Sequence, residues 1–238
     1  MDPSITSPRL FVPQPLHEGA TVAASAAQAH HLGAVLRRKP GDAVRLFNGV
    51  DGEWAGRITA LRRDRLELAA AARLRGQRAG PDLWLAFAAL KRDRTDLVVE
   101  KATELGAAAL LPVITERTVA ARLNLDRLAA IATAAAEQCE RLSVPRIAAP
   151  VALAALLRDW PAGRRLVAAV ERRAAAAVPA GSGPAALLVG PEGGFTVAEL
   201  ELLDQRAFVV MASLGCRILR SETAAIVGLA LLQATAGG

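Results

Sequence analysis

The sequence is short of the residues that build special-purpose proteins. It has two cysteines, Cys139 and Cys216, and three histidines in 238 residues. That is too few for a disulfide framework, and the spacing fits no zinc set, so no metal is expected. Tyrosine is absent and aromatics make up only 3%. No apolar run approaches the roughly 18 residues needed to span a bilayer. The opening MDPSITSPRLFV carries an acid and two prolines where a secretory leader would be basic and then apolar. The expectation is a cytoplasmic protein off the membrane. With 53% hydrophobic and 22% charged residues, the chain can bury a real core, which excludes a disordered or fibrous protein.

What is abundant is arginine. Of the 29 cations 26 are Arg, the side chain suited to bidentate phosphate contacts. Residues 1–80 hold 12 Lys+Arg against 7 Asp+Glu, and residues 81–238 hold 17 against 16. Most of the net charge of +6 therefore lies in the first third, as expected if that part meets a polyanion.

Patterning divides the chain in two. RLFV (9–12), AVRLFN (43–48), EWAGRITAL (53–61) and RLELAAAARL (65–74) read as short strands, with HHLGAVLR (30–37) a helical turn or two. Pro40-Gly41, Asp51-Gly52 and Arg62–Arg65 mark the turns between them. Together they predict a small antiparallel barrel. Gly76, Gly80 and Pro81 lead out of it. Wholly apolar strands then alternate with helices: strands 83–90, 108–114, 165–170, 185–190 and 207–212, helices from Asp93 to Leu105, from Asp126 to Leu142, over 151–160, from Val197 and from Ser221. That rhythm predicts an α/β domain around a parallel sheet. Cys139 reads as buried packing on its helix.

Two glycine-bearing loops follow strands in this second part. Gly190-Pro191-Glu192-Gly193-Gly194-Phe195 permits close backbone approach to a ligand, with Thr196 and Glu199 as a capping box for the next helix. Ser213 to Thr223, with Leu214, Ile218 and Leu219 beside open backbone, suits a flat apolar ring, and Cys216 would line it. No phosphate-loop signature is present. Gly181-Ser182-Gly183-Pro184-Ala185-Ala186 mimics a dinucleotide fingerprint but precedes a strand instead of following one, the wrong order for that use.

HHLGAVLRRKPGD (30–42), VVEKATELGAAALLPVITERT (98–118), LLVGPEGGFTVAEL (187–200) and LGCRILRSETA (214–224) occur in this order. With RLFV near the start they resemble the ribosomal RNA small subunit methyltransferase E family across nearly the whole chain. The resemblance implies a PUA-like β-barrel over 1–76 and a SPOUT-class α/β domain over 77–238, knotted in about 165–238. It implies a homodimer that binds S-adenosylmethionine and methylates N3 of a uridine in small-subunit ribosomal RNA, within the assembled subunit. Carried over by motif, the cofactor pocket is Gly190, Pro191, Glu192, Gly193, Gly194, Leu214, Gly215, Ile218, Leu219 and Arg220, with Val170 and Glu171 as a third wall. Arg117, Arg220 and Glu192 are the catalytic candidates. Arg9, His31, Arg37, Arg38, Lys91, Arg92 and Arg94 are the candidate RNA contacts. Ser221 stands where the family pattern has threonine, and Gln138-Cys139-Glu140-Arg141 where QSGR is common. Two other readings share these features: a different SPOUT RNA methyltransferase, and an RNA-binding assembly factor without catalysis.

Overall fold

The computed structural model describes residues 7–119, 122–171, 175–179, 181 and 183–236. Met1–Thr6, Ala174 of the alanine run 174–177 and Ser182 lie outside them. The chain forms two compact units, one of residues 1–79 with 136–144, the other of residues 80–135 with 145–238.

The first unit holds β1 (Arg9–Phe11), β2 (Thr21–Ala24), α1 (Ala26–His30), a π-helical turn (His31–Val35), β3 (Ala43–Phe47), β4 (Glu53–Leu61) and β5 (Leu66–Arg75). The strands form one sheet in the order β1-β3-β4-β5-β2. The expected antiparallel pattern needs one correction, because β1 pairs with β3 in parallel. Alternation sends Leu66, Leu68, Ile58, Leu46 and Val44 into the core with Leu10, Val22 and Leu32. Burying each such side chain contributes about 1.5–3 kcal/mol. β2, too short to read as a strand, forms because β5 offers it an edge to pair with. At the turn into β4, the Asn48 side chain accepts from the N–H groups of Val50 and Asp51. Gly52, at φ +85°, leaves no room for a Cβ, which would lie 2.2 Å from the Arg75 carbonyl oxygen.

A buried charge cluster holds this unit together. Glu53 is 1% exposed. It accepts from Arg9 Nε at 2.6 Å and from Arg75 Nε at 2.8 Å, with Arg45 3.8 Å away. Burial pushes its carboxyl up, but the bonds from Arg75 and Arg9 outweigh that and hold it below the usual range. Arg9, expected at the RNA, is instead 6% exposed. Its Nη atoms donate to the carbonyls of Ala136, Glu137 and Arg141, and its guanidinium lies 4.5 Å from the Phe47 ring centroid. Such a cation closes off helix-end carbonyls and, buried, lies out of a phosphate's reach.

The second unit contains β6 (Leu83–Ala88), α2 (Arg92–Glu104), β7 (Ala109–Ile114), most of α3 (Leu125–Gln138), β8 (Arg146–Ile147), β9 (Val151–Ala152), α4 (Leu153–Arg158), β10 (Arg165–Ala169), β11 (Ala176–Ala177), β12 (Ala185–Val189), α5 (Val197–Asp204), β13 (Val209–Ser213) and α6 (Ser221–Ala236). Its sheet runs β11-β13-β10-β12-β6-β7-β8, with β9 beside β7, and every pairing is parallel. β6 and β12 are buried along nearly their whole length, as apolar strands covered on both faces must be. α3 stops at Gln138, four residues short of the expected end, because Glu140 turns left-handed at φ +62°. Cys139 at that turn is half-buried, not core.

Candidate active site

In a parallel sheet all strand ends of one polarity share an edge, so the loops after β6, β7, β10, β12 and β13 gather on one side of the second unit. They carry Leu90–Arg94, Thr115–Thr118, Val170–Glu171, Gly190–Phe195 and Ser213–Arg220 in turn. The order β13-β10-β12 places the 170–171, 190–195 and 213–220 segments on neighbouring strands.

The loop after β12 is fixed from three sides. Gly194 takes φ +68°, and its N–H donates to the Pro191 carbonyl at 2.9 Å. Gly190 packs against the Phe195 ring so closely that a Cβ would lie 3.0 Å from it. At the loop's end the expected capping box forms: Thr196 Oγ accepts from the Glu199 N–H and Glu199 Oε2 from the Thr196 N–H. The other oxygen of Glu199 accepts from the Glu116 N–H at 2.9 Å, which ties the loops after β12 and β7. Beside it, Thr118 Oγ closes the turn by accepting from the Thr115 N–H at 2.8 Å.

Arg117 lies across the glycine loop, its Nη1 donating to the Gly193 carbonyl at 2.7 Å. Glu192 is exposed and pairs with Arg94 at 3.0 Å. Arg94 Nε is also 3.8 Å from Glu222 at the start of α6. Two catalytic candidates, Arg117 and Glu192, therefore meet on one loop. Arg220 is exposed on the loop after β13, with its carbonyl receiving the Ala224 N–H.

That second loop is shaped by Ser213, whose Oγ bonds both the N–H and the carbonyl of Gly215. Gly215, at φ +125°, has open space around it, and Ile218 is 60% exposed. Leu214 and Leu219 are half-buried, and Cys216 is exposed. An uncovered branched apolar side chain beside open backbone is what an adenosine-bearing cofactor would cover. Val170 is buried and Glu171 exposed at the end of β10, with a Glu171 oxygen 3.5 Å from where a Gly194 Cβ would stand. The residues present thus fit such a cofactor: backbone donors and acceptors, an apolar face and an accepting carboxylate.

The candidate RNA contacts separate by unit. His31 and Arg37 are exposed and Arg38 half-buried around the π-helical turn. Lys91 and Arg92 are exposed at the start of α2, while Arg94 is spent on Glu192. Sequence reasoning missed Glu222, Arg94 as a loop clamp, and the second bond of Glu199. Only the capping-box spacing hinted at the last. Among the described residues no cluster could hold a metal ion, and no helix is long and apolar enough to cross a membrane.

Residues 78–233 match the RNA methyltransferase domain family, and residues 25–70 match the RNA methyltransferase PUA domain. The ribosomal RNA small subunit methyltransferase E of Rickettsia conorii is 33% identical over 230 residues, 94% of each chain. The chain belongs to the ribosomal RNA small subunit methyltransferase E family. Its Bacillus subtilis member is 28% identical, covering 92% of each chain. A family member from Neisseria gonorrhoeae, solved bound to S-adenosylmethionine, is 31% identical with a TM-score of 0.86, covering 96% of this chain and 97% of that one. The family match gives the first unit its PUA character and the second its methyltransferase character.

Proposed function

We propose that this protein is an S-adenosylmethionine-dependent methyltransferase that methylates N3 of a uridine in small-subunit ribosomal RNA. The observation that carries the reading is the pair of loops 190–195 and 213–220 at one sheet edge, with Arg117 bound onto the first. Backbone from Gly190, Pro191, Gly193, Gly194, Leu214 and Gly215, with Ile218, Leu219 and Arg220, would hold the cofactor. Val170 and Glu171 would form its third wall. When bound, the cofactor supplies an electrophilic methyl group on a sulfonium. The chain's own work is then orientation and charge.

Uridine N3 carries a proton, so the site must remove it and steady the anion that forms. Arg117 uses Nη1 on Gly193 and keeps further N–H groups for a uracil carbonyl oxygen. Arg220 serves the same oxygens from the other loop. Glu192 either takes the N3 proton or only braces the loop through Arg94. Glu192→Gln separates the two, because loss of a base flattens the pH–rate profile, whereas loss of a brace is matched by Arg94→Ala. The exposed arginines of the first unit, among them Arg57, Arg62, Arg63 and Arg73, supply phosphate contacts, so binding weakens steeply with salt. The family resemblance supports the remaining parts of the reading: a homodimer, a knot in about 165–238, a cytoplasmic location, and a gripping role for residues 1–76 with catalysis in 77–238.

The test uses small ribosomal subunits from a strain lacking its own enzyme of this kind. They are incubated with protein and S-adenosylmethionine, and the digested RNA is analysed by mass spectrometry. N3-methyluridine is the expected product. A different methylated nucleoside would move the activity to a sister SPOUT enzyme, and failure to bind the cofactor would favour the non-catalytic assembly factor.

A further inference from the structure

A cavity of about 280 Å³ opens beside the start of α2, between Leu90–Asp96 and Arg122–Leu128. Three arginines line it, Arg92, Arg122 and Arg127, over three leucines, Leu90, Leu123 and Leu128. The inner polar groups are satisfied except Asp96 Oδ1, which is buried with no hydrogen-bond partner among the described residues. Arg127 is ion-paired with Asp96, and its N–H donates to Asn124 Oδ1 at 3.0 Å. Thr95 Oγ donates to the Leu90 carbonyl at 3.0 Å and receives the Leu90 N–H at 3.2 Å. With Asp96 cancelling Arg127, the lining keeps two positive charges. These belong to Arg92 and Arg122, both exposed and neither ion-paired among the described residues.

We propose that this cavity seats one nucleotide of the substrate RNA strand, its phosphate between Arg92 and Arg122 and its base against the leucines. This rests on the reading of the protein as an RNA methyltransferase. The sign of the lining selects an anion, and guanidinium forks match phosphate oxygens. The leucine floor demands that the anion also bring an apolar face, which inorganic phosphate lacks and a nucleobase has. The volume lies near the lower end of small-molecule sites, which begin at roughly 300 Å³, so one nucleotide fits and a folded helix does not. The place suits the chemistry. Arg94, two residues from Arg92 on the same helix turn, reaches Glu192 of the glycine loop at 3.0 Å. A strand presenting its uridine to that loop thus passes the cavity, which would hold a flanking nucleotide and keep the extruded target in register.

The experiment compares full-length wild type with Arg92→Ala/Arg122→Ala and with Leu123→Glu, using unmethylated small subunits as substrate. For the double variant the expected result is a KM for subunits raised about 10-fold, with kcat within about 2-fold. Its log–log salt slope of binding should be shallower by about 0.7–0.9, as one lost phosphate contact requires. Leu123→Glu places a carboxylate on the floor and should raise KM as much or more. An unchanged S-adenosylmethionine Kd shows that each variant is folded, and Arg92→Lys/Arg122→Lys should recover part of the lost affinity. Wild-type KM and salt slope in both cavity variants would overturn the proposal. If wild type itself neither binds nor methylates subunits, the underlying methyltransferase reading fails, and the cavity assignment falls with it.

Discussion

Both units split their arginines between buried and exposed roles, but the first gathers its buried ones on a single acid, whereas the second divides the two roles between the two edges of its sheet. In the first, Arg9, Arg45 and Arg75 converge on Glu53, so a quarter of the cations counted as surface charge there are structural. In the second, Arg164 is buried near the N-terminal ends of the strands. It donates to the carbonyls of Asp82 and Ala185 and stacks 3.7 Å from the Trp84 ring centroid. At the C-terminal ends Arg92, Arg117 and Arg220 are exposed. A parallel sheet directs its strand ends to two unlike edges, one closed by packing and one left for a ligand. Residue type and count cannot tell these roles apart; burial and partner do.

The sharpest way to break the contrast is to remove the acid at its centre. Glu53→Ala leaves Arg9 buried without its counter-charge and should cost about 3–5 kcal/mol in a urea titration. At the open edge, Arg117→Ala should lower kcat about 100-fold while leaving the S-adenosylmethionine Kd within a factor of about three in calorimetry. A comparable loss of fold stability instead would make Arg117 another structural arginine. Gly194→Ala forces a side chain into a left-handed position, at about 1–2 kcal/mol. The expected readout is cofactor affinity about 10-fold weaker.

A finer test sets two acids of the first unit against each other. Glu53 is held below its ordinary value, so its stabilisation is complete above about pH 4.3 and disappears as pH falls through its lowered folded value. Glu137 is pushed up, by burial first, against the bond its carboxylate accepts from the Phe11 N–H. Its folded form holds the proton longer, so its contribution declines as pH rises from about 4.3 through the raised value. Glu137→Gln should therefore be no less stable than wild type at pH 7 and lose its relative advantage near about pH 4. The smallest effect belongs to Arg158→Ala. Its pair with Asp159 is exposed, and no measurable change in Tm is expected.

Much of the fold was legible, for identifiable reasons. β6 and β12 are apolar along their length, and β10 is after Arg165, so strand and burial are one signal. The Thr196–Glu199 spacing announces a helix start by local hydrogen bonding alone. β2, β8, β9 and β11 were not legible, because each is four residues or fewer and exists only where a neighbour offers an edge. The parallel pairing of β1 with β3 was hidden for the same reason. At the site, both loops could be read from glycine and flanking strands, and Arg117 from its motif. Arg94's hold on Glu192 spans 98 positions in sequence and leaves no periodic trace.

By itself, then, the sequence determined what local chemistry can express. It marked where the strands and helices of the second unit run, which loops approach a ligand, and that the chain shares the methyltransferase motifs. Only the tertiary structure decided which arginines are available. Arg9 faces Glu53 through pairing of β1 with β3 and β3 with β4, and Arg92 shares a cavity with Arg122 through the packing of residues 90–96 against 122–128. A charge in a sequence carries its sign, while its desolvation and its partner are set by contacts between distant segments.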